Sequence, residues 1–263
     1  MTPPDHKQTA ALLRGAYETG PVAPLRDALA PTDAAGAYAV QAINTAFWIG
    51  AGRQIAGRKV GLTAKAVQAQ LGVSQPDFGV LFADMAISDG GVLPASNVLQ
   101  PKAEGEIAFV MKADVLDPAA TVETVTAAIS HAVAAIEIVD SRIADWKITF
   151  ADTVADNGSA AFYVLGDDPK PLDGLDLKTC GMVLEINGEV ASLGAGAACL
   201  GHPIKAVAWL ARTLAQRGEA LRAGDVVLSG ALGPMVAINP GDHVKVSIGG
   251  LGACEFTYRD DRA

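Results

Sequence analysis

Apolar and polar positions follow two different rhythms along this chain. Through residues 5 to 52 the rhythm is helical: Leu12, Leu13, Ala16 and Tyr17 recur on one face before Gly20, and a second periodic run extends from Ala34 to Ile49 behind the capping candidates Thr32 and Asp33. Pro21, Pro24 and Pro31 punctuate these helices. From residue 53 the texture changes to short β-prone runs separated by Gly and Pro, with three helices predicted over 64–71, 121–132 and 203–217. The last begins where Pro203 follows His202, since proline suits a first helical turn. Between Asp225 and Tyr258, runs such as Val226-Val227-Leu228 and Val244-Lys245-Val246-Ser247 alternate with Gly-rich turns and point to a compact β-rich body. The pattern divides the chain into a helical N-terminal segment, 1–54, and a mixed β-rich body, 55–263.

With 263 residues, half of them apolar, the chain is long enough to bury a sizeable core. A net charge of -9 repels phosphate backbones and anionic lipid, which argues against nucleic-acid and membrane-surface partners. Cys180, Cys199 and Cys254 are odd in number and form no CxxC pair, so they read as reduced thiols in a cytoplasm rather than as a disulfide framework or a zinc ribbon. The start, Met1-Thr2-Pro3-Pro4-Asp5, carries no basic stretch before an apolar core, and no apolar run reaches the roughly 18 residues of a membrane span. These features predict a soluble, unprocessed protein.

Chemistry concentrates in a few segments. In Ala103-Glu104-Gly105-Glu106-Ile107-Ala108-Phe109-Val110, strand alternation puts Ile107, Phe109 and Met111 on one face and Glu104 and Glu106 on the other, with Gly105 removing a side chain between the carboxylates. Two carboxylates about 7 Å apart on one strand face repel each other unless a cation lies between them, although such a pair on an exposed strand is more often solvated surface. Glu137 stands inside the apolar run Ala134-Ala135-Ile136-Glu137-Ile138-Val139, where an unpaired carboxylate is too costly to bury. Together the three glutamates would form a hard oxygen site for Mg²⁺ or Mn²⁺. In Gly57-Arg58-Lys59-Val60-Gly61-Leu62, alternation places Lys59 on the face of Ile55 and opposite Val60 and Leu62; burial there would lower its pKa towards neutrality, while a surface lysine is the plain alternative. Asp77, after Pro76, reads as a turn former. Gly194-Ala195-Gly196 is only part of a dinucleotide fingerprint, His6, His131 and His243 show no ligand spacing, and Ser229 lacks the glycine two residues before it that a nucleophile elbow requires.

Taken together, Gly57-Arg58-Lys59-Val60-Gly61-Leu62-Thr63, Gln70-Leu71-Gly72-Val73-Ser74-Gln75-Pro76-Asp77-Phe78-Gly79, Glu104-Gly105-Glu106-Ile107-Ala108 and Ala155-Asp156-Asn157-Gly158-Ser159 resemble the hydratase and decarboxylase family of the fumarylacetoacetate hydrolase superfamily. Cys199-Leu200-Gly201-His202-Pro203 and Ser229-Gly230-Ala231-Leu232-Gly233-Pro234-Met235 are most similar to its 2-keto-4-pentenoate hydratase branch. The likeness runs from about residue 10 to about residue 258. It implies an α+β fold with a mixed β-sandwich or β-roll body, and a homo-oligomer, pentameric or decameric. It further implies Mg²⁺ or Mn²⁺ on Glu104, Glu106 and Glu137, Lys59 and Asp77 facing the substrate, and Leu71, Phe78, Ser159 and Ser229 near the pocket. The implied reaction is hydration of 2-hydroxypenta-2,4-dienoate in the meta-cleavage breakdown of aromatic compounds. Rivals of the same chemistry are decarboxylation of 2-oxohex-3-enedioate (4-oxalocrotonate) and hydration of 2-oxohept-3-enedioate, for which Arg58 or Arg142 are candidate binders of a second carboxylate. A different rival is a catalytically silent subunit associated with a pathway enzyme such as a decarboxylase or aldolase.

Overall fold

A computed structural model of the chain describes residues 5–262, so the reading of the first four residues as free of a leader lies outside it. Helices α1 (His6–Thr19) and α2 (Ala34–Gly50) each begin at an aspartate whose carboxylate accepts backbone N–H groups of the first turn: Asp5 from Lys7 and Gln8, Asp33 from Gly36. The body then runs β1 (Ile55–Gly61), α3 (Lys65–Gln70), β2 (Asp77–Phe82), β3 (Ala86–Ile87), β4 (Gly91–Pro94), β5 (Pro101–Met111), α4 (Val122–Ala128) and β6 (Ile129–Asp140). It continues through α5 (Phe150–Ala155), β7 (Ala160–Leu165), β8 (Gly181–Ile186), β9 (Glu189–Ala195), α6 (Pro203–Gln216), β10 (Val226–Leu228), β11 (Val236–Ala237), β12 (His243–Ile248) and β13 (Gly252–Arg259).

The strands form two sheets. One has the order β2-β1-β10-β5-β6-β7-β3, with β11 also paired to β5; the other has the order β4-β13-β12-β8-β9. Alternation gives the larger sheet two unlike faces. Ala103, Ile107, Phe109 and Met111 of β5 and Ala132, Ala134, Ile136 and Ile138 of β6 share one apolar cluster with Met182, Leu184, Val244, Val246 and Phe256 of the smaller sheet. Each such fully buried large side chain contributes about 1.5–3 kcal/mol, which pins the register of the two longest strands. The other face carries a smaller apolar set, including Leu81, Ala108, Val133, Ala135, Tyr163 and Leu228, and the charged residues described below. Ala10, Leu13 and Ala16 of α1 and Ala37 and Val40 of α2 belong to the main cluster, so the N-terminal helices share one core with the body. Among the described residues no helix is long and apolar enough to cross a membrane.

Three expectations need correction, and one helix is added. The helix predicted over 121–132 stops at Ala128, because residues 129–132 are drawn into β6 by pairing with β5 and by the bond from Ala132 N to Lys170 O. Helix α5 is an addition: all six of its residues are buried, so it shows no amphipathic rhythm, yet its capping box between Thr149 and Asp152 was a usable signal. A bulge between Ile55 and Gly57 breaks the alternation of β1, so Ile55 does not share the face of Lys59. Gly105 faces the smaller sheet, where a Cβ would lie 2.8 Å from Met182 Sδ, and so does not clear space between the two glutamates.

Candidate metal centre

The longest strand pair sets the site. In the antiparallel register of β5 and β6, Glu104 lies opposite Glu137 and Glu106 opposite Ala135, so the three glutamate side chains project from one face. Each offers a carboxylate oxygen within 4.8 Å of the others. Glu106 and Glu137 are wholly buried, while Glu104 is half-buried. Glu106 Oε2 accepts the Gly230 N–H at 2.8 Å, but Glu106 Oε1 and both Glu137 oxygens have no hydrogen-bond partner. Such groups in a protein interior are costly unless something positive meets them.

Strand β1 supplies the cation of this cluster, Lys59. Lys59 faces the same interior as Gly61, and through the β1–β2 register so do Gly79 and Asp77. Its Nζ donates to Gly158 O at 2.9 Å and lies 3.1 Å from Glu137 Oε1, an ion pair without hydrogen-bond alignment. Bare backbone makes this possible: a Cβ on Gly79 would sit 2.2 Å from Asn157 O and 3.2 Å from Lys59 Cγ. A Cβ on Gly61 would sit 2.1 Å from Asp77 Oδ1 and 3.4 Å from Lys59 Nζ, so the ammonium and the carboxylate share the space glycine leaves. Asp77 is buried at the first position of β2, with Oδ1 unpartnered; it is not the solvent-facing turn former that its sequence context suggests.

Electrostatics follow from burial among like charges. Burial, then the neighbouring Glu137, push Glu104 up to about 7. Glu106 is raised well above the ordinary glutamate value by burial, then by Glu137 and Glu104. Burial also raises Glu137 and Asp77, with Lys59 opposing in both cases. For Lys59, burial acts downward, but Glu137, Asp77, Glu104 and Glu106 together outweigh it and hold the ammonium above the usual lysine range. The lowered value expected from its apolar neighbours is therefore corrected, because four carboxylates surround it.

The remaining candidates stand one step back or elsewhere. Ser229 is fully buried beside Gly230, and its carbonyl accepts the Cys199 thiol at 2.8 Å. Ser159 Oγ donates to Asp156 Oδ2 at 3.3 Å, in a turn where Asn157, Gly158 and Ser159 all have positive φ. Phe78 alternates with Asp77, and its ring stacks on Tyr38 at 4.7 Å, away from the carboxylates. Leu71 is half-buried at the C-terminal cap of α3, outside the carboxylate cluster. Arg142, a candidate for a second substrate carboxylate, is spent on Asp156, Tyr17 Oη and the carbonyls of Asp140, Asp156 and Ala160. Arg58 lies on the opposite face of β1 from Lys59 and bonds Gly57 O and Glu219. Single-sequence reasoning missed the backbone partners Gly230 N and Gly158 O, whose approach only the folded chain shows.

A family model described as fumarylacetoacetate (FAA) hydrolase, C-terminal, matches residues 48–259. The chain is 49% identical, over all of its length and 98% of the relative, to a 2-keto-4-pentenoate hydratase of Paraburkholderia xenovorans. It is 52% identical to 2-keto-4-pentenoate hydratase 1 of Dechloromonas aromatica, over 92% of this chain and 93% of that one. Among solved structures, 4-oxalocrotonate decarboxylase from Pseudomonas putida, complexed with magnesium and adipate, superposes with a TM-score of 0.91 at 36% identity, covering 97% of this chain and 98% of that one. With the fold, the carboxylate cluster and these likenesses in agreement, the chain belongs to the fumarylacetoacetate hydrolase family, on its 2-keto-4-pentenoate hydratase branch.

Proposed function

We propose that this chain is a hydro-lyase that converts 2-hydroxypenta-2,4-dienoate to 4-hydroxy-2-oxopentanoate in the meta-cleavage degradation of aromatic compounds. In this reading Glu104, Glu106 and Glu137 hold one divalent ion, Mg²⁺ or Mn²⁺. The observation that carries it is the convergence of three carboxylates, with Glu106 Oε1 and both Glu137 oxygens buried and unpartnered, beside a single buried ammonium. Hydratases about half identical to this chain along its length support the reaction, and the magnesium in the decarboxylase structure supports the ion. When bound there, the ion would supply positive charge that stabilises an anionic 2-oxo or 2-hydroxy acid.

The chain's own groups manage the protons. Lys59, charged and fixed by Gly158 O, donates a hydrogen bond at the C2 oxygen; the enol proton leaves that oxygen to solvent water while water supplies the proton added at C5. The resulting 2-oxopent-3-enoate takes up water, oxygen to C4 and hydrogen to C3. Asp77, with an unpartnered Oδ1 and a raised pKa next to Lys59, is the base for that water. The commitment of Arg58 and Arg142 elsewhere favours a monocarboxylate over the two dicarboxylate substrates.

Decarboxylation of 2-oxohex-3-enedioate is the second reading, favoured by the likeness to the decarboxylase. The test is the loss of ultraviolet absorbance of freshly generated 2-hydroxypenta-2,4-dienoate with purified protein, with and without Mn²⁺. Metal-dependent loss with a mass gain of one water supports the hydratase; no loss, with carbon dioxide released from 2-oxohex-3-enedioate, transfers the assignment.

A further inference from the structure

Along the site-facing side of β5, burial falls from the middle of the strand towards its start. Glu106 and Ala108 are fully buried, whereas Glu104 and, two residues earlier on the same face, Lys102 are half-buried. The carboxylate cluster therefore meets solvent at the Lys102 end of the strand. Lys102 has no hydrogen bond or ion pair among the described residues; its Nζ instead lies 4.3 Å from the centroid of the Trp146 ring. That ring is itself anchored, since Trp146 Nε1 donates to Gln100 O at 2.9 Å. Asp145 and Trp146 both hold left-handed backbone (φ 57° and 55°), a conformation costly for non-glycine residues that here presents the indole to the ammonium.

Charge accounting gives this arrangement a purpose. Glu104, Glu106, Glu137 and Asp77 oppose only Lys59 and a divalent ion, so a loaded site keeps one net negative charge and repels an anionic acid. Lys102 is the cation that cancels it. We infer that Lys102, held over Trp146, is the docking cation for the carboxylate of the incoming 2-oxo or 2-hydroxy-dienoic acid, and so a determinant of substrate affinity. The inference rests on the reading of the glutamates as a metal centre for such acids.

The test compares Lys102→Met, which keeps the stem and removes the charge, with Lys102→Arg, which keeps the charge. In Lys102→Met, KM for the dienoate rises about tenfold with kcat within about threefold, and the decline of kcat/KM with added salt flattens; Lys102→Arg restores most of the loss. Oxalate, a carboxylate chelator that needs no turnover, binds the Mn²⁺-loaded variant about tenfold more weakly. Mn²⁺ itself binds the variant at least as tightly, because a positive neighbour of Glu104 has gone. Unchanged oxalate affinity, weakening seen with the long-chain dicarboxylate adipate but not with oxalate, or a fall in kcat at constant KM overturns the inference. If the wild type consumes no dienoate, the hydratase reading fails by itself, while the oxalate comparison still decides the role of Lys102.

Discussion

Two groups of buried charges lie close together in this molecule and are built on opposite plans. Around Arg142, the guanidinium bonds Asp156, Tyr17 and three carbonyls, and Asp140 accepts the N–H groups of Leu99 and Gln100. Around Glu137, three glutamates and Asp77 face one ammonium, and five carboxylate and guanidinium atoms that remain unpartnered in the described structure include four from these acids. The first group is saturated by the chain itself and can only hold shape. The second is incomplete, which a folded protein tolerates where a ligand completes it. The two are connected: Asp156, at the start of the turn whose Gly158 carbonyl fixes Lys59, accepts the N–H and Oγ–H of Ser159, so the saturated group braces the incomplete one.

Perturbing each group separately tests that contrast. Glu106→Ala should have the largest effect, losing Mn²⁺ binding and lowering kcat/KM by about a thousandfold, read by metal titration and absorbance kinetics. Arg142→Met should destabilise the metal-free protein by about 3–5 kcal/mol, because Asp156 is left buried and unpaired; a thermal or denaturant midpoint that stays put would break the distinction. Lys59→Ala should lower kcat by about a hundredfold while Mn²⁺ still binds, since the lysine donates its hydrogen bond to the substrate oxygen and holds no ion.

The smallest effect is one of pH, and its sign differs between the two states of the site. Glu104, raised to about 7 from an ordinary value of 4.5, must shed its proton to hold an ion. Mn²⁺ affinity should therefore fall by at least about tenfold per pH unit as pH drops below about 7, since Glu106, also raised, must lose its proton too, as calorimetry would show. For the metal-free protein the linkage runs the other way. A carboxyl whose folded pKa is raised contributes stability below its unfolded value and loses it as pH rises through its folded value, so the melting midpoint should decline between pH 5 and pH 8 and recover on addition of Mn²⁺.

By itself, the sequence determined the local grammar of this protein. The helical rhythm of residues 5 to 52, the aspartate cap at 33, the strand alternation that sets Glu104 and Glu106 on one face, and the improbable carboxylate at 137 were all legible, because periodicity encodes which face of an element a side chain occupies. Tertiary structure alone decided what met across the elements. The register that sets Glu104 opposite Glu137, the Gly230 amide on Glu106, the four acids that keep Lys59 charged, the saturation of Arg142 and the place of Lys102 at the open end of β5 depend on pairings between residues distant in sequence. No local pattern carries such information, since register and charge environment arise only when the sheet closes its long-range pairs.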